Sequence, residues 1–380
     1  MKIGIPVETL TGETRVAMVP AMVSAFTRLE HEVLVQKGAG LGSFISDAEF
    51  EKSGASIVDD ASTLFAQCDV LFKIQPPTVD EVRMMKDGSI FMGYLAPLAN
   101  HDVLRAMNEK KITSFATEFI PRISRAQSMD TLSSMATLAG YKAVLISANH
   151  LAKIFPLLMT AAGSIPPATT FVLGAGVAGL QAIATAKRLG SKVEAFDPRP
   201  AVEEQVKSLG ATFVHMEVPE EDVETSGGYA KAQSDAFLLA EQQAIAERLP
   251  KVDVIITTAA IFGKKAPILI TEDMVKMMRP GSVIVDLAIE GGGNCELTEL
   301  GETVVKHGVT IVGTENLPST LSINGSGMFS KNLLNLFKNL FQSEDNSLDF
   351  EEEVTAGACI THGGEVKNEL VANSMTGGNA

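Results

Sequence analysis

Cysteine is scarce in this chain. Cys68, Cys295 and Cys359 are spread over 380 residues, an odd and widely spaced set in a protein long enough to fold without covalent staples. Free thiols in a reducing compartment are therefore expected, not a disulfide framework. Positive charge is in deficit as well: 31 basic against 46 acidic residues leave a formal charge of -15. Such a surface repels phosphate backbones and anionic head groups and argues against nucleic acid as a partner. An export signal is not legible, because Met1 to Glu8 is already strand-like and lacks a basic segment followed by an apolar one. Long hydrophobic runs are missing too. The uncharged stretch Ile154 to Ala186 is interrupted by Pro156, Pro166, Pro167 and several glycines, so it reads as helix end, turn, strand and glycine loop, not a membrane span. A soluble chain is expected.

What is present is an ordinary globular composition, 46% hydrophobic and 20% charged, at about twice the length of one domain. Short Val- and Ile-rich runs alternate with longer helical patterns, the signature of βα units that build a parallel sheet. The alternation occurs twice. Strands are expected near Lys2 to Pro6, Glu32 to Gln36, Ser56 to Val58, Asp69 to Ile74, Ser89 to Tyr94 and Ile112 to Ala116, then near Thr170 to Leu173, Lys192 to Phe196, Thr212 to Val214, Asp253 to Thr258, Ser282 to Leu287 and Thr310 to Val312. The halves also rhyme, GSIFMGYL at Gly88 with GSVIVDLA at Gly281, and Asp69-Val70 with Asp253-Val254.

These patterns predict an α/β protein of two doubly wound, Rossmann-like parallel-sheet domains joined by long helices, with a cleft between them. Apolar residues at helical spacing over Thr131 to Ala162, with few breakers before Pro156, suggest one long connecting helix, and a second, about Gly327 to Phe341, leads back to the first domain. The expected division is residues 1–132 with 328–380, and residues 133–327. Val354 to Val366, with its His362-Gly363-Gly364 turn, fits a small hairpin.

Phe171-Val172-Leu173 runs straight into Gly174-Ala175-Gly176-Val177-Ala178-Gly179 and then a helical pattern, so G-x-G-x-x-G stands in its required context of strand before and helix after. The first glycine permits a tight turn, the second lets backbone approach a pyrophosphate, and the third lets helix and strand pack closely, while the helix N-terminus supplies positive potential. The next strand ends in Asp197, placed to accept hydrogen bonds from adenosine ribose hydroxyls and to repel a 2′-phosphate, which favours NAD over NADP. Arg199 is the discordant neighbour, since an arginine there can accommodate that phosphate. Gly38-Ala39-Gly40-Leu41-Gly42 leads only toward a helix cap at Ser46 and is expected to be a plain loop.

Several further segments carry a family likeness: Glu13-Thr14-Arg15-Val16-Ala17, PRISRAQSMD from Pro121 to Asp130, MTAAGSIPPA from Met159, GAGVAGLQAIATAKRLG from Gly174, GGYAK from Gly227, RPGSVIVDLA from Arg279 and GGGNC from Gly291. Over nearly its whole length the chain resembles the soluble NAD(H)-binding component, domain I, of proton-translocating nicotinamide nucleotide transhydrogenases. The resemblance implies that NADH held here passes hydride to NADP+ held by the domain III of a beta subunit, with a membrane domain coupling the exchange to proton movement. It also implies an α1-type subunit of a split bacterial enzyme, a homodimer, peripheral on the cytoplasmic face of the inner membrane through partner subunits. Arg122, Gln127, Asp130 and Ser133 match family residues that orient the nicotinamide, its ribose and nearby phosphates. Tyr229 matches a mobile loop that closes over the nucleotide. No metal ligands are assigned.

Alanine dehydrogenase, a fold relative, is the alternative activity. Arg15 and Lys73 match positions that bind its oxo-acid, yet where that family carries a catalytic histidine this chain reads Tyr94-Leu95-Ala96-Pro97-Leu98, and the aspartate expected after the apolar strand is altered to Glu290. Without an imidazole, amino-acid oxidation lacks its acid/base; His101 is expected to be a surface helix residue. Hydride exchange between two nicotinamides needs no such group, only proximity and a dry, aligned approach. A non-catalytic NAD-responsive module is the third reading.

Overall fold

The computed structural model describes residues 1–215, 234–261, 263–342 and 347–376. In chain order the strands are β1 (Lys2–Ile5), β2 (Glu32–Gln36), β3 (Ser56–Val58), β4 (Val70–Phe72), β5 (Ile90–Gly93), β6 (Thr113–Ala116), β7 (Leu158–Thr160), β8 (Gly163–Ile165), β9 (Thr169–Leu173), β10 (Lys192–Phe196), β11 (Thr212–Phe213), β12 (Val254–Thr257), β13 (Val283–Asp286), β14 (Thr303–Lys306), β15 (Val309–Val312), β16 (Cys359–His362) and β17 (Glu365–Val366). Three helices matter most here: α1 (Thr131–His150), α2 (Val177–Arg188) and α3 (Ser322–Leu340). The chain divides into two compact units, Met1–Met135 with Ser319–Ala380, and Ala136–Pro318.

In the first unit the sheet order is β17-β16-β6-β5-β4-β1-β2-β3. Strands β1 to β6 pair in parallel, whereas β16 joins β6 antiparallel. The second sheet runs β11-β10-β9-β12-β13-β15-β14, parallel except for the β14–β15 pair. Both are doubly wound, with the order reversing beside β1 and beside β9, and such reversals place ligand crevices at the carboxyl ends of the strands. Strands covered on both faces read as unbroken apolar runs, not alternating ones, and β12 and β13 are buried at every position. Ala182, Ile183 and Ala186 of α2 pack on one face of this sheet with Val172, Ile256 and Val283, while Phe171, Phe196 and Ile255 face a second cluster with Ile245 and Leu249.

The rhyme between the halves has a structural basis. Asp69 accepts a hydrogen bond from Lys2 N at 2.9 Å, and Asp253 accepts one from Thr169 N at 2.8 Å, so each aspartate pins the start of the neighbouring central strand.

The connecting helix is shorter than the sequence suggests. Helix α1 ends at His150, and Leu158–Thr160 instead pairs antiparallel with Gly163–Ile165 as an exposed hairpin. A run that is apolar but has no helix to follow can satisfy its backbone by closing on itself, and Gly163 supplies the positive φ of +121°. Helix α3 starts five residues earlier than its apolar pattern indicated, at Ser322. The C-terminal hairpin is shorter than expected: Glu353–Ala358 is helical, its cap made by the Glu352 carboxylate, and only Cys359–His362 pairs with Glu365–Val366, around a turn made by Gly363 and Gly364 at φ 64° and 92°. The three cysteines are unbridged and buried, burial pushing Cys295 up to about 11. No helix among the described residues is long and apolar enough to cross a membrane.

Candidate functional site

The glycine loop of the second unit meets three separate steric demands. Gly174 holds φ +94°, and a Cβ there would stand 2.5 Å from Thr258 Oγ1. A Cβ on Gly179 would stand 1.9 Å from the Gly174 carbonyl oxygen, closer than any real contact, so only glycine lets α2 begin so near β9. Gly176, by contrast, has no described atom within 4 Å of a built Cβ. It is the N-cap of α2, without a side-chain cap among the described residues, so the first amide groups of that helix, beginning at Val177 and Ala178, lack the usual oxygen acceptor. An uncapped helix start beside open space is an anion site in waiting.

Thr258, at the end of β12, donates to the Gly174 carbonyl at 3.1 Å and so ties the loop to the neighbouring strand. Behind it stands a hub that sequence reading missed. The buried Asp286 carboxylate, at the end of β13, accepts from Thr257 Oγ1 at 2.9 Å, Ala288 N at 3.0 Å, Asn294 N at 2.8 Å, Cys295 N at 3.0 Å and Thr298 Oγ1 at 3.0 Å. Asn294 in turn accepts from Ala259 N at 3.0 Å and donates to Ala259 O and Pro267 O, both at 2.8 Å. The GGGNC segment is thus a clamp on the segment that follows β12. Its available signal was an aspartate closing an apolar strand ahead of a glycine-rich turn.

Asp197 is buried at the end of β10, and its carboxylate is already engaged. It accepts from Ala175 N at 2.7 Å, from Arg199 N at 2.9 Å, and from Arg199 Nε and Nη2 at 2.8 Å each. The acid beside the glycine loop therefore forms a fork with the arginine two residues on, a pairing that sequence spacing did not suggest.

Arg122, Gln127, Asp130 and Ser133 lie together in the first unit, on the approach to α1. Residues Ser124–Met129 form a 3-10 turn. Asp130 then caps the helix, accepting from Ser133 N at 2.8 Å and Ser133 Oγ at 2.6 Å. The turn is anchored from behind: Asn332 and Asn335 of α3 donate to the Ser128 carbonyl at 2.8 and 3.0 Å, and Arg125 pairs with Glu352. Arg122 and Gln127 stay exposed. Tyr229 lies outside the described residues, as does all of Gly227 to Lys231.

The two cations that match an oxo-acid site are internally compensated. Arg15 is forked by Glu13, Nε to Oε1 at 2.7 Å, and the buried Lys73 ammonium lies 3.5 Å from Glu8 and 3.2 Å from Glu81. Burial pushes the Glu8 carboxyl up to about 7, against the opposing pull of Lys73. In the run Tyr94 to Leu98, the Glu118 carboxylate accepts from Leu95 N at 2.9 Å and Ala96 N at 2.7 Å, holding Ala96 at φ +45°. That turn carries no imidazole, and His101 begins a helix, its Nε2 3.2 Å from Ser374 Oγ.

Both parts of the chain match known domains. Residues 4–139 match the N-terminal domain, and residues 143–369 the C-terminal domain, of the alanine dehydrogenase/PNT family. An NAD(P) transhydrogenase subunit alpha chain of Rhodospirillum rubrum is 48% identical over 374 residues, covering 96% of this chain and 97% of that one. The crystal structure of a transhydrogenase from Sinorhizobium meliloti superposes with a TM-score of 0.85 at 39% identity, covering 97% of this chain and 100% of that one. The alanine dehydrogenase of Methanococcus maripaludis stands further off, 32% identical over 85% of this chain and 82% of its own. The chain belongs to the alanine dehydrogenase/PNT family, among its NAD(P) transhydrogenase alpha subunits.

Proposed function

We propose that this chain holds NAD(H) at the glycine loop of its second unit and takes part in hydride transfer to NADP+ held by a separate partner, the domain III of a beta subunit, with separate membrane subunits coupling the exchange to proton translocation. The observation that carries the nucleotide reading is the open space at Gly176 in front of the uncapped start of α2. A pyrophosphate fits there, because backbone N–H groups and the helix dipole both favour an anion. Bound NAD(H) supplies the hydride.

The chain's own residues bind and orient. The α2 amides at Val177, Ala178 and Gly179 take the phosphates, and Asp197 accepts ribose hydroxyls in exchange for part of its fork with Arg199. Asp197→Ala is expected to weaken NADH binding by about 1 to 3 kcal/mol, since the hydroxyls lose their acceptor; unchanged affinity in a folded variant, read by calorimetry, removes Asp197 from the site. Arg122 offsets phosphate charge, Asp130 and Gln127 can hold a carboxamide or ribose hydroxyl, Ser133 helps to orient the nicotinamide end, and Tyr229 is a further nucleotide-binding residue. None of these needs to move a proton, in keeping with a reaction that adds none to either ring.

Gln127 is assigned to the transfer step. An exposed, uncharged amide can reach the second nucleotide without placing a charge beside two dinucleotides, and its hydrogen bond then forms only in the ternary complex. Gln127→Asn should leave NADH affinity within about twofold and slow transfer with the partner by about ten- to a hundredfold, equivalent to about 1.4 to 2.7 kcal/mol. Stopped-flow transfer between bound NADH and an NADP+ analogue measures this; normal transfer at saturation with lost NADH affinity makes Gln127 a simple cofactor ligand. Activity that appears only with the NADP(H)-binding partner separates transhydrogenation from alanine oxidation by this chain alone, and silence in both assays favours a binding module.

A homodimer is supported by the β7–β8 hairpin, where Met159 and Ile165 are 76% and 40% exposed, with the preceding Leu157 59% exposed. Such an apolar arm fits a second copy of the chain. A peripheral position is supported by attachment to the membrane subunits, and the cytoplasmic face is part of the same proposal.

A further inference from the structure

The Asp197–Arg199 fork raises a question of charge. One carboxylate and one guanidinium cancel, so the pair alone gives no reason for the site to prefer a nucleotide without a 2′-phosphate. A second acid lies close by. On the helix Asp235–Ala246 the buried stripe is Phe237, Glu241 and Ile245, spaced four residues apart. Ile245 packs in the cluster that contains Phe196, the residue before Asp197, so Glu241 stands one turn along the same face. Its residue is 3% exposed, and its Oε2 is buried with no hydrogen-bond partner among the described residues.

A carboxylate in an apolar stripe with an unused oxygen is unfavourable for folding alone. It makes sense as a group reserved for a ligand. Burial and then the negative charge of Asp197 push Glu241 up to about 7, in keeping with two acids close enough to feel each other.

We infer that Glu241 is a specificity-determining residue of the adenosine-ribose site: with Arg199 balancing Asp197, the Glu241 carboxylate supplies the net negative charge that rejects a 2′-phosphate. This rests on the reading of the glycine loop as an NAD(H) site. The protonated carboxyl or the carboxylate can also meet a ribose hydroxyl, as donor or acceptor, whereas only the carboxylate repels a phosphate dianion.

The test is a pair of titrations of the full chain at pH 8, where the carboxyl is ionised, with NADH and with NADPH, read by nucleotide fluorescence and calorimetry. Glu241→Gln keeps the shape and removes the charge, and Glu241→Leu removes the polar group altogether, with thermal unfolding confirming that each is folded. Both should tighten NADPH by about tenfold, the size of effect one nearby charge exerts, and leave NADH within about threefold. A merely structural Glu241 would move both nucleotides together or neither. Tight NADH binding by the wild-type chain with an unchanged NADH-to-NADPH ratio in both variants overturns this inference alone. Failure of the wild-type chain to bind NADH overturns the NAD(H) reading and this inference with it.

Discussion

Gly179→Ala is expected to damage fold and binding together, whereas Gly176→Ala, three residues away, should damage binding alone. At Gly179 the added Cβ would lie 1.9 Å from the Gly174 carbonyl oxygen, and backbone cannot give way as the end of a flexible side chain can. Helix α2 must then back away from β9, through packing that includes the fully buried Ala182, Ile183 and Ala186. Overpacking of this kind costs about 3 kcal/mol, or about 10 °C in a unit of this size. NADH affinity should fall by about thirtyfold or more, because the amides of α2 shift with the helix. At Gly176 the backbone has φ -72°, which alanine adopts freely, and no described atom stands within 4 Å of the new Cβ. The melting temperature should stay within about 3 °C, the small loss reflecting a poorer N-cap, while the methyl occupies the space the pyrophosphate needs and weakens NADH by about tenfold or more. Scanning calorimetry and NADH titration of both variants decide the matter. Wild-type NADH affinity in Gly176→Ala would show that the open space is not the phosphate seat.

The second large effect is expected at Asp286, which touches no proposed ligand. Replacing it by alanine leaves Thr257, Thr298 and the amides of Ala288, Asn294 and Cys295 facing a buried space without an acceptor. Each orphaned donor costs about 1 kcal/mol or more. With partial relaxation, the loss should be about 4 kcal/mol, at the upper end for one substitution, read as a drop of about 10 to 15 °C. Asp286→Asn is a sharper probe. It keeps the shape but turns an NH2 group toward donors, so it should still destabilise by about 2 kcal/mol. Loss of the hub also frees Asn294, and with it the Ala259 backbone beside the Gly174 loop, so NADH affinity should fall even below the melting range. A melting temperature unchanged in both variants would show that the hub is not a stabilising element.

What the sequence determined by itself is whatever depends on neighbours along the chain. Twelve parallel strands were legible because each is a short apolar run between helical patterns, and the glycine loop because its three glycines, its strand and its helix are contiguous from Phe171 to Arg188. The absence of an imidazole in Tyr94 to Leu98 was legible for the same reason. The likeness to transhydrogenases over PRISRAQSMD could be read directly, and an aspartate just ahead of a helix start could also be read as the cap that Asp130 makes on α1.

What only the tertiary structure decided depends on groups far apart in sequence that share low-dielectric space. The antiparallel β16 pairs with β6 across more than two hundred residues, a partner that no local period specifies. The apolar run after His150 turned into a hairpin because strand pairing, not hydrophobicity, satisfied its backbone. The charge at the end of β10 is the clearest case. Sequence spacing set Asp197 against Arg199 as rival signals for NAD and NADP, whereas the folded chain joins them in one fork and buries Glu241 nearby. A site's preference for an anion is set by the sum of charges within a few ångströms, and that sum exists only once the helix carrying Glu241 has packed against the strand that ends at Phe196.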